Sequence, residues 1–397
     1  MTQDKQNNRP NVPPLRFPGF TEEWGVRCLE DIAEFSKGLG ISKEQRSITG
    51  NPCILYGELY TTYSNEVIDE VISKTELNPI DLVKSQANDV IIPSSGETAE
   101  DIATARCVLK NDVLLGGDLN IIRPNTDVDG RFMSYQLNGK RKIDIAKIAQ
   151  GVSVVHLYGN DLKKLAVVLP SKDEQKRISD FLALLDRRLS LQSRVIEDLR
   201  QLKSALVEKL FTPQNDWIQY RYRDILQPIS ERNRDLEISN VLSASQELGM
   251  VNRDDLEIDI KFDKSAIASY KIVREGDYVL HLRSFQGGLA FSSMTGICSP
   301  AYTILRPKRT IAYGFLQDYF MSRRFINSLR LVTYGIRDGR SINVDEFMDM
   351  TIRIPNIETQ KIIISILASL NARLRIAQNQ GENYSKQKQY FLQQMFI

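Results

Sequence analysis

The sequence is poor in the residues that build metal sites. Its 397 residues include only 2 histidines and 4 cysteines. The cysteines are far apart, which offers no zinc-ligation pattern and is typical of a protein from a reducing cytoplasm. These residues are Cys28, Cys53, Cys107 and Cys298, and the histidines are His156 and His281. We therefore expect single buried or surface positions for all of them, and no metal site.

Long apolar runs and a strong charge imbalance are also missing. No window approaches eighteen uncharged apolar residues, so a membrane-spanning helix is not expected. The segment 1–13 is polar and contains proline, and we interpret it as a disordered lead rather than a signal peptide. The net charge of +2 neither requires nor excludes a polyanionic partner. These features predict a soluble, cytoplasmic protein.

Catalytic motifs are the third absence. The sequence contains no GxxxxGK[ST] phosphate loop, no glycine-rich dinucleotide fingerprint and no Asn/Asp-Pro-Pro-aromatic motif for adenine methylation. The acidic run at 254–259 has the residue types of a metal site but is more typical of a solvated loop. We therefore expect no catalytic residue, and no cofactor bound by this chain itself.

The sequence does contain one long segment that occurs twice. Residues 165–211 and 350–396 align without a gap at an offset of 185, with identity at 12 of 47 positions. The identities include Pro170/Pro355, Gln175/Gln360, Lys176/Lys361, Leu185/Leu370, Arg188/Arg373 and Phe211/Phe396. Each copy reads as a short strand that ends in proline, followed by one long helix. The first helix would be about 60 Å long at ~1.5 Å per residue.

Apolar residues recur along both copies at heptad spacing, which predicts a helix–helix seam. Because each helix carries one seam, the other can satisfy it, and an antiparallel coiled coil within the chain is favoured. Asn379, Gln380 and Gly381 interrupt the second seam, so we expect a weak or kinked middle there. The predicted packing residues are Ile178, Leu182, Leu185, Leu189, Ile196, Leu199, Leu206, Leu210, Ile363, Leu367, Leu370, Leu374, Tyr384, Phe391 and Met395.

The segments that precede the two helices echo one another more faintly. The pattern of Trp24 with Asp31-Ile32 recurs as Trp217 with Asp224-Ile225. Both segments also have a predicted strand that ends in Arg-Pro. Short strands separated by Gly, Asn and Pro turns favour an α+β fold for each. We predict a disordered lead at 1–13, a first globular domain at 14–169, a first long helix at 170–213, a second globular domain at 214–354 and a second long helix at 355–397.

The duplicated features resemble those of the specificity subunits of type I restriction–modification systems. The resemblance rests on Trp24 with Asp31-Ile32, on the start of the long helix from Pro170 through Gln175-Lys176 to Ile178, and on the second copies of both. The resemblance covers nearly the whole chain from about residue 14. One departure is Thr359, where the family usually has glutamate.

The resemblance implies a non-catalytic subunit with two target recognition domains and a pseudo-twofold tandem repeat. The two domains would read the halves of an asymmetric, bipartite site on double-stranded DNA, with the helices as a ruler. Two modification subunits, which bind S-adenosylmethionine and methylate adenine, would dock on this chain. Restriction subunits that use ATP and Mg²⁺ would complete the complex.

Loops rich in basic, amide and hydroxyl residues are the candidates for DNA contact, because these groups bind phosphates and base edges. Alanine at Arg337 and Arg340 together is expected to weaken binding in a salt-dependent way, and Gln286 to affect base preference. The first domain contributes Lys37, Lys43, Arg46, Glu58, Tyr60, Thr61, Thr62, Tyr63, Ser94 and Ser95. The second contributes Arg232, Asn233, Ser243, Ser245, Gln246, Arg283, Ser284, Gln286, Arg337 and Arg340.

One alternative from another class remains open at this point. A coiled-coil scaffold that joins partner proteins, with two peptide-binding modules, would have the same repeat. Retention of duplex DNA and of modification subunits would distinguish the first interpretation from this one.

Overall fold

The computed structural model describes residues 11–245, 248–255, 264–335 and 341–397. Most of the predicted disordered lead therefore lies outside the described residues. The chain divides into two compact units. Unit 1 runs to Ser193 and includes Asn379–Ile397, and unit 2 is Arg194–Gln378. Each unit thus takes a globular module together with one part of each long helix.

Unit 1 is an α+β module of short elements ahead of a long helix. Its strands are β1 (Gly25–Cys28), β2 (Ala33–Lys37), β3 (Arg46–Ser47), β4 (Asn51–Ile54), β5 (Val67–Ile68), β6 (Lys74–Thr75), β7 (Asp89–Pro93), β8 (Ser95–Gly96), β9 (Arg106–Val108), β10 (Leu114–Leu115), β11 (Leu119–Pro124), β12 (Val155–His156) and β13 (Ala166–Leu169). Its helices are α1 (Leu29–Ile32), α2 (Glu58–Thr61), α3 (Ala99–Ile102), α4 (Gly130–Asn138), α5 (Lys142–Ile148), α6 (Gly159–Lys163) and the start of α7 (Lys172–Leu210).

The central sheet of unit 1 has the order β2-β11-β7-β9-β5. Strands β11 and β7 are antiparallel, with Ile121 opposite Ile91, and both residues are fully buried. A second sheet, β10-β4-β6-β3, carries the loops that precede α2. Strand β1 pairs with β13 and so brings the start of the module to the strand that enters α7.

Unit 2 repeats this plan with different loops. Its strands are β14 (Ile218–Arg221), β15 (Leu226–Ile229), β16 (Leu242–Ser245), β17 (Gly249–Asn252), β18 (Lys271–Val273), β19 (Tyr278–Leu280), β20 (Ala290–Phe291), β21 (Gly296–Cys298), β22 (Thr303–Pro307), β23 (Thr333–Tyr334), β24 (Ser341–Ile342) and β25 (Thr351–Ile354). Its helices are α8 (Tyr222–Ile225), α9 (Ser284–Gly287), α10 (Gln317–Phe320), α11 (Arg323–Ser328), α12 (Val344–Asp349) and the first part of α13 (Ile357–Gln394). The main sheet is β15-β22-β19-β20, and β14 pairs with β25.

A glutamine fixes each module to its long helix in the same way. The Oε1 atom of Gln175 accepts from the backbone of Asp129 (2.9 Å), while its Nε2 donates to the carbonyl of Pro170 (2.9 Å). In unit 2 the equivalent Gln360 accepts from Ala312 (2.8 Å) and donates to Pro355 (3.0 Å). Both side chains are buried, so these hydrogen bonds satisfy backbone groups that would otherwise lack water.

The Arg-Pro strand exits also have a shared structural basis. Arg123 donates to both carboxylate oxygens of Asp89 at 2.8 Å, and Arg306 does the same to Asp277 at 2.9 Å. Each aspartate is almost completely buried and is held by this bidentate pair. The two modules therefore share a frame at the level of individual hydrogen bonds, as expected for a tandem repeat.

The long helices pack against each other in antiparallel fashion. In unit 1, Phe181 of α7 contacts Phe391 of α13 with ring centroids 4.8 Å apart. Further along, the guanidinium of Arg188 lies 5.5 Å from the ring centroid of Tyr384. Residue numbers rise along α7 as they fall along α13, which is the predicted intrachain coiled coil.

The predicted heptad positions all lie on inward faces. In unit 1, Ile178, Leu182, Leu185 and Met395 are buried, and Leu189, Tyr384 and Phe391 are half-buried. In unit 2, Ile363, Leu367 and Leu370 are buried, and Ile196, Leu199, Leu206, Leu210 and Leu374 are half-buried. The seam is therefore deepest where the helices also pack on a module.

The expected kink in the second helix is absent, because α13 is continuous through Asn379, Gln380 and Gly381. A glycine inside a helix costs about 1 kcal/mol relative to alanine. Apolar packing on both sides of the interruption, by Ala377 and Phe391, offsets a cost of that size.

A buried lysine on the helix pair is neutralised differently in each unit. In unit 1, the Nζ atom of Lys388 lies 2.5 Å from Glu66 and 2.6 Å from Asp186, which also accepts from the hydroxyl of Tyr135 (2.6 Å). Burial by itself lowers the pKa of Lys388, but the two carboxylates outweigh this and its pKa is raised. The lysine is therefore charged and paired.

In unit 2, Lys203 occupies the equivalent place and lies 2.7 Å from Asp318. The helix residue equivalent to Asp186 is Asn371, which donates to Asp318 at 3.2 Å. In unit 1 the module and the helix each supply one carboxylate, Glu66 and Asp186, whereas in unit 2 the paired carboxylate, Asp318, comes from the module.

We expect Lys388→Met to destabilise the protein by about 3–5 kcal/mol, because it leaves two buried carboxylates without their cation. Denaturant unfolding measured by circular dichroism tests this. Lys386→Met, at an exposed position of the same helix, is the control and should change stability by less than about 0.5 kcal/mol. Equal effects of the two substitutions would contradict the assigned role of Lys388.

Candidate nucleic-acid interface

The predicted DNA-contacting residues of unit 1 lie in two groups. The first group surrounds the 3₁₀ turn Lys43–Gln45 and the short helix α2. Here Lys43, Arg46, Thr61 and Thr62 are exposed and Tyr60 is half-buried. Basic and hydroxyl side chains that reach solvent from one pair of turns form a surface suited to phosphate oxygens and base edges.

Two residues predicted to face bases instead hold this group in place. Glu58 is buried and accepts hydrogen bonds from the backbone of Leu55 (2.9 Å) and from Ser73, and it pairs with Arg46 (3.4 Å). Tyr63 is also buried, and its hydroxyl accepts from the backbone of Ile72 at 3.2 Å. Their side chains position the exposed neighbours rather than present polar atoms to solvent.

The second group lies where β2, β11 and α6 meet. Lys37, Asn120, Tyr158, Asn160 and Lys163, which we call the Lys37 cluster, line a cavity of about 230 Å³. The Nδ2 atom of Asn120 donates to the carbonyl of Leu157 (2.9 Å). The cavity thus combines two lysines, two amides and a tyrosine on rigid elements.

Ser94 and Ser95 belong to this second region. The carbonyl of Ser94 accepts from the backbone of Leu157 (2.9 Å), and Ser95 pairs with His156 across β8 and β12. Both serines are half-buried. The rings of His156 and Tyr158 stack with centroids 6.2 Å apart, and both are exposed.

Sequence reasoning missed His156, Tyr158, Asn160 and Lys163 as candidates. The DNA-contact candidates predicted from the sequence of the first domain end at Ser95. A usable signal was present, since two exposed aromatic rings alternate with buried Val155 and Leu157 just ahead of two lysines. Alternation of this kind on a short strand puts the rings on one face.

In unit 2, the hairpin β16–β17 carries two predicted residues. The hydroxyl of Ser243 accepts from the Nε atom of Arg253 (3.1 Å), and that of Ser245 accepts from the backbone of Leu248 (3.3 Å). Both serines are half-buried. Gln246 lies outside the described residues.

The turn between β19 and β20 presents Arg283 and Gln286 to solvent. Ser284 is fully buried, and its hydroxyl accepts from the backbone of His281 (2.8 Å). The Nδ1 atom of His281 in turn accepts from the backbone of Arg283 (3.3 Å). Ser284 and His281 therefore shape the turn, while Arg283 and Gln286 are its available side chains.

The remaining DNA-contact candidates of unit 2 differ in their exposure to solvent. Arg232 is exposed, whereas Asn233 is buried and closes its own loop by bonding Ile238 in both directions (2.7 and 3.2 Å). Arg337 and Arg340 lie outside the described residues, so their role stays a prediction.

Among the described residues, no group of three or more His, Cys, Asp or Glu side chains is arranged to hold a metal ion. No described helix combines the length and apolar character that crossing a bilayer requires.

Comparison with known proteins gives a consistent result. Residues 21–201 match the family model described as "Type I restriction modification DNA specificity domain". The Type I restriction enzyme MjaVIII specificity subunit of Methanocaldococcus jannaschii is 22% identical over 428 residues, which cover 97% of this chain and 94% of that protein. The Putative type I restriction enzyme MjaX specificity subunit of the same organism is 21% identical, with 95% and 94% covered.

Solved structures share the fold. The crystal structure of the S subunit of a type I restriction-modification system from M. genitalium superimposes with a TM-score of 0.63 at 14% identity, covering 97% of this chain and 99% of that one. A chain from a study of complex assembly and conformational transition of the type I R-M system gives 0.54 at 15% identity, with 96% and 98% covered.

The fold of two α+β modules on an antiparallel helix pair is thus shared with the solved S subunit. The sequence match across the first module and helix agrees with this architecture. Over nearly its whole length the chain is thus similar to type I restriction enzyme specificity subunits, and residues 21–201 match the type I specificity domain.

The Arg283 turn is expected to lose stability in mild acid. Burial lowers the pKa of His281, and the nearby charge of Arg283 acts in the same direction. The folded state therefore favours the neutral ring, and its contribution to stability is complete above pH ~6.5 and is lost as pH falls through the lowered pKa. His281→Asn, which retains an acceptor, should flatten the dependence of unfolding free energy on pH between about 7.5 and 5.

The other histidine supplies the control for this measurement. His156 is exposed, so His156→Asn should keep the pH dependence of the unmodified protein. A wild-type slope in the His281 variant would refute the assignment.

Proposed function

We propose that this protein is the DNA-sequence specificity subunit of a type I restriction–modification complex, which reads a bipartite, asymmetric target with its two modules. The observation that carries the proposal is the repeated frame with unlike loops. Gln175/Gln360 and Arg123/Arg306 are used identically, whereas the exposed loop residues differ. The shared frame positions the two modules in the same way, and their different loops would contact different bases.

The loops offer the chemistry that base and phosphate contacts need. In unit 1 they present Lys37, Arg46 and Lys163, and in unit 2 Arg232 and Arg283. Lysine and arginine bind phosphates, while amides and hydroxyls on the same loops recognise base edges in the grooves. Because the two sets are unequal, the two half-sites are expected to differ in sequence.

The coiled coil is suited to act as the ruler between half-sites. Helix α7 has 39 residues, which corresponds to about 58 Å at ~1.5 Å per residue. One turn of duplex is about 34–36 Å, so a helix of this length covers the spacer of a bipartite site.

Partner subunits are expected to supply all the chemistry. Helix α7 carries a second apolar stripe that faces solvent, formed by Leu184, Leu191, Val195 and Leu202 with 47–64% of each side chain exposed. Spacings of seven and four residues are those of a helix–helix seam, so the stripe is suited to helices of two modification subunits. Those subunits would bring S-adenosylmethionine, and restriction subunits would bring ATP and Mg²⁺, while this chain is non-catalytic.

Sequencing of modified bases in genomic DNA tests the function. Cells that express this chain with its modification subunits should show a bipartite adenine-methylation motif that disappears when the gene is deleted. A genome whose methylated motifs are the same with and without the gene would contradict the proposal.

Removal of two lysines of the Lys37 cluster tests its contact with DNA. Lys37→Ala with Lys163→Ala should weaken duplex binding and reduce the slope of log K against log salt by about 1.8, since each phosphate contact contributes ~0.9. The measurement is a fluorescence anisotropy titration of the full chain at several salt concentrations. Lys140→Ala with Lys386→Ala removes the same charge from exposed positions, one in the turn between α4 and α5 and one on α13, and should leave the slope within about 0.3 of the wild-type value. If both double variants change the slope equally, the lysines act only through net charge.

A further inference from the structure

Unit 2 contains an arginine-lined cleft that none of the candidate DNA-contacting residues lines. It has a volume of about 710 Å³ and lies between α7, α11 and α13. Arg200, Arg323 and Arg375 line it, one from each of these helices, and all three are exposed. A cavity of this size accommodates several side chains of a ligand.

The arginines of this cleft have no carboxylate of their own. In the part of the chain that the structure describes, neither an ion pair nor a side-chain hydrogen bond involves Arg200, Arg323 or Arg375. The acidic residue that lines the cleft, Asp318, is already paired with Lys203 (2.7 Å) and bonded by Asn371 (3.2 Å). The cleft is therefore positive and lacks an internal counter-charge.

The floor of the cleft is partly apolar. Val207 is buried there, and Met321, Ala368 and Leu374 also line it. The phosphate groups of a nucleic acid are charged and would leave such a floor uncovered. A peptide segment that carries carboxylates beside an apolar side chain matches both the floor and the rim.

Unit 1 lacks the same charge at equivalent positions. By the repeat offset of 185, Arg200 and Arg375 correspond to Ser385 and Ser190. Ser190 is also engaged within unit 1, because its hydroxyl accepts from the Nδ2 atom of Asn65 at 3.1 Å. Arg200 and Arg375 are therefore a property of unit 2 and not of the shared frame.

We infer that this cleft docks an acidic segment of a partner protein, with carboxylates on the three arginines and an apolar side chain on the Val207 floor. Arginine and carboxylate form paired, charge-assisted hydrogen bonds, which give such docking its geometry. The identity of the partner rests on the proposed function, under which it is a modification subunit. Since the cleft belongs to unit 2 alone, one of two modification subunits binds more tightly than the other.

The test uses the full chain and its co-expressed modification subunit. Arg200→Glu, Arg323→Glu and Arg375→Glu together should reduce the affinity for the modification subunit by about 30-fold or more at the tighter site. Native mass spectrometry and calorimetric titration measure the stoichiometry and the affinity. The control variant makes the same change of charge at exposed positions of unit 2 outside the cleft, namely Arg309→Glu, Arg330→Glu and Arg353→Glu. It should bind the first and the second modification subunit as the wild type does.

Duplex binding by the isolated chain, measured in parallel, separates the outcomes. If the variant loses the tighter binding of a modification subunit but still binds duplex DNA, the result supports the docking site. Unchanged affinity for the modification subunit overturns it, and so does loss of duplex binding with partner binding intact, which would assign the arginines to phosphates. A wild-type chain that binds duplex but no modification subunit also overturns the inference, whereas a chain that binds neither refutes the proposed function.

Melting temperatures of both triple variants must match the wild type, which shows that they fold. A triple variant that fails to fold is replaced by Arg200→Ala with Arg375→Ala, and the same outcomes apply to that variant.

Discussion

The structure of unit 1 depends on aromatic packing between the beginning and the end of the chain. Trp24 contacts Phe132 and Phe396 with ring centroids 5.6 and 6.4 Å apart, and Phe132 and Phe396 are 5.0 Å apart. All three rings are buried. Because Phe396 directly follows α13, the core of the first module includes residues brought to it by the C-terminal helix. The antiparallel helix pair is thus part of the folding of the module.

The repeat separates what is held constant from what varies. The constant part is made of buried contacts: the glutamines that fix each helix, the arginine–aspartate pairs, and Trp24 and Trp217 at the module entries. The variable part is made of exposed turns, which change without disturbing that frame. Such a division lets recognition diverge between two halves of one chain while their mounting stays the same.

Much of this frame was predictable from sequence, because it rests on periodicity and repetition. The heptad positions, the antiparallel pairing and the two α+β modules follow from patterns that survive at low identity. The continuity of α13 did not follow, because local propensity at Gly381 was outweighed by packing of distant residues. The burial of Glu58, Tyr63, Asn233 and Ser284 was equally hidden, since a polar residue in a loop has the same signature whether it faces solvent or holds a turn.

The unequal placement of acidic groups around the buried lysines limits how such chains can be recombined. Around Lys388, Arg106 adds a second buried cation near Glu66 and Asp186, so two positive charges meet two negative ones. Around Lys203, Asp318 alone completes a one-to-one balance. A chimaera with a crossover between module and helix would join the first module to Asn371, or the second to Asp186. The former junction carries a surplus positive charge and the latter a surplus negative one, so viable grafts must carry residue 186 or 371 along with its own module.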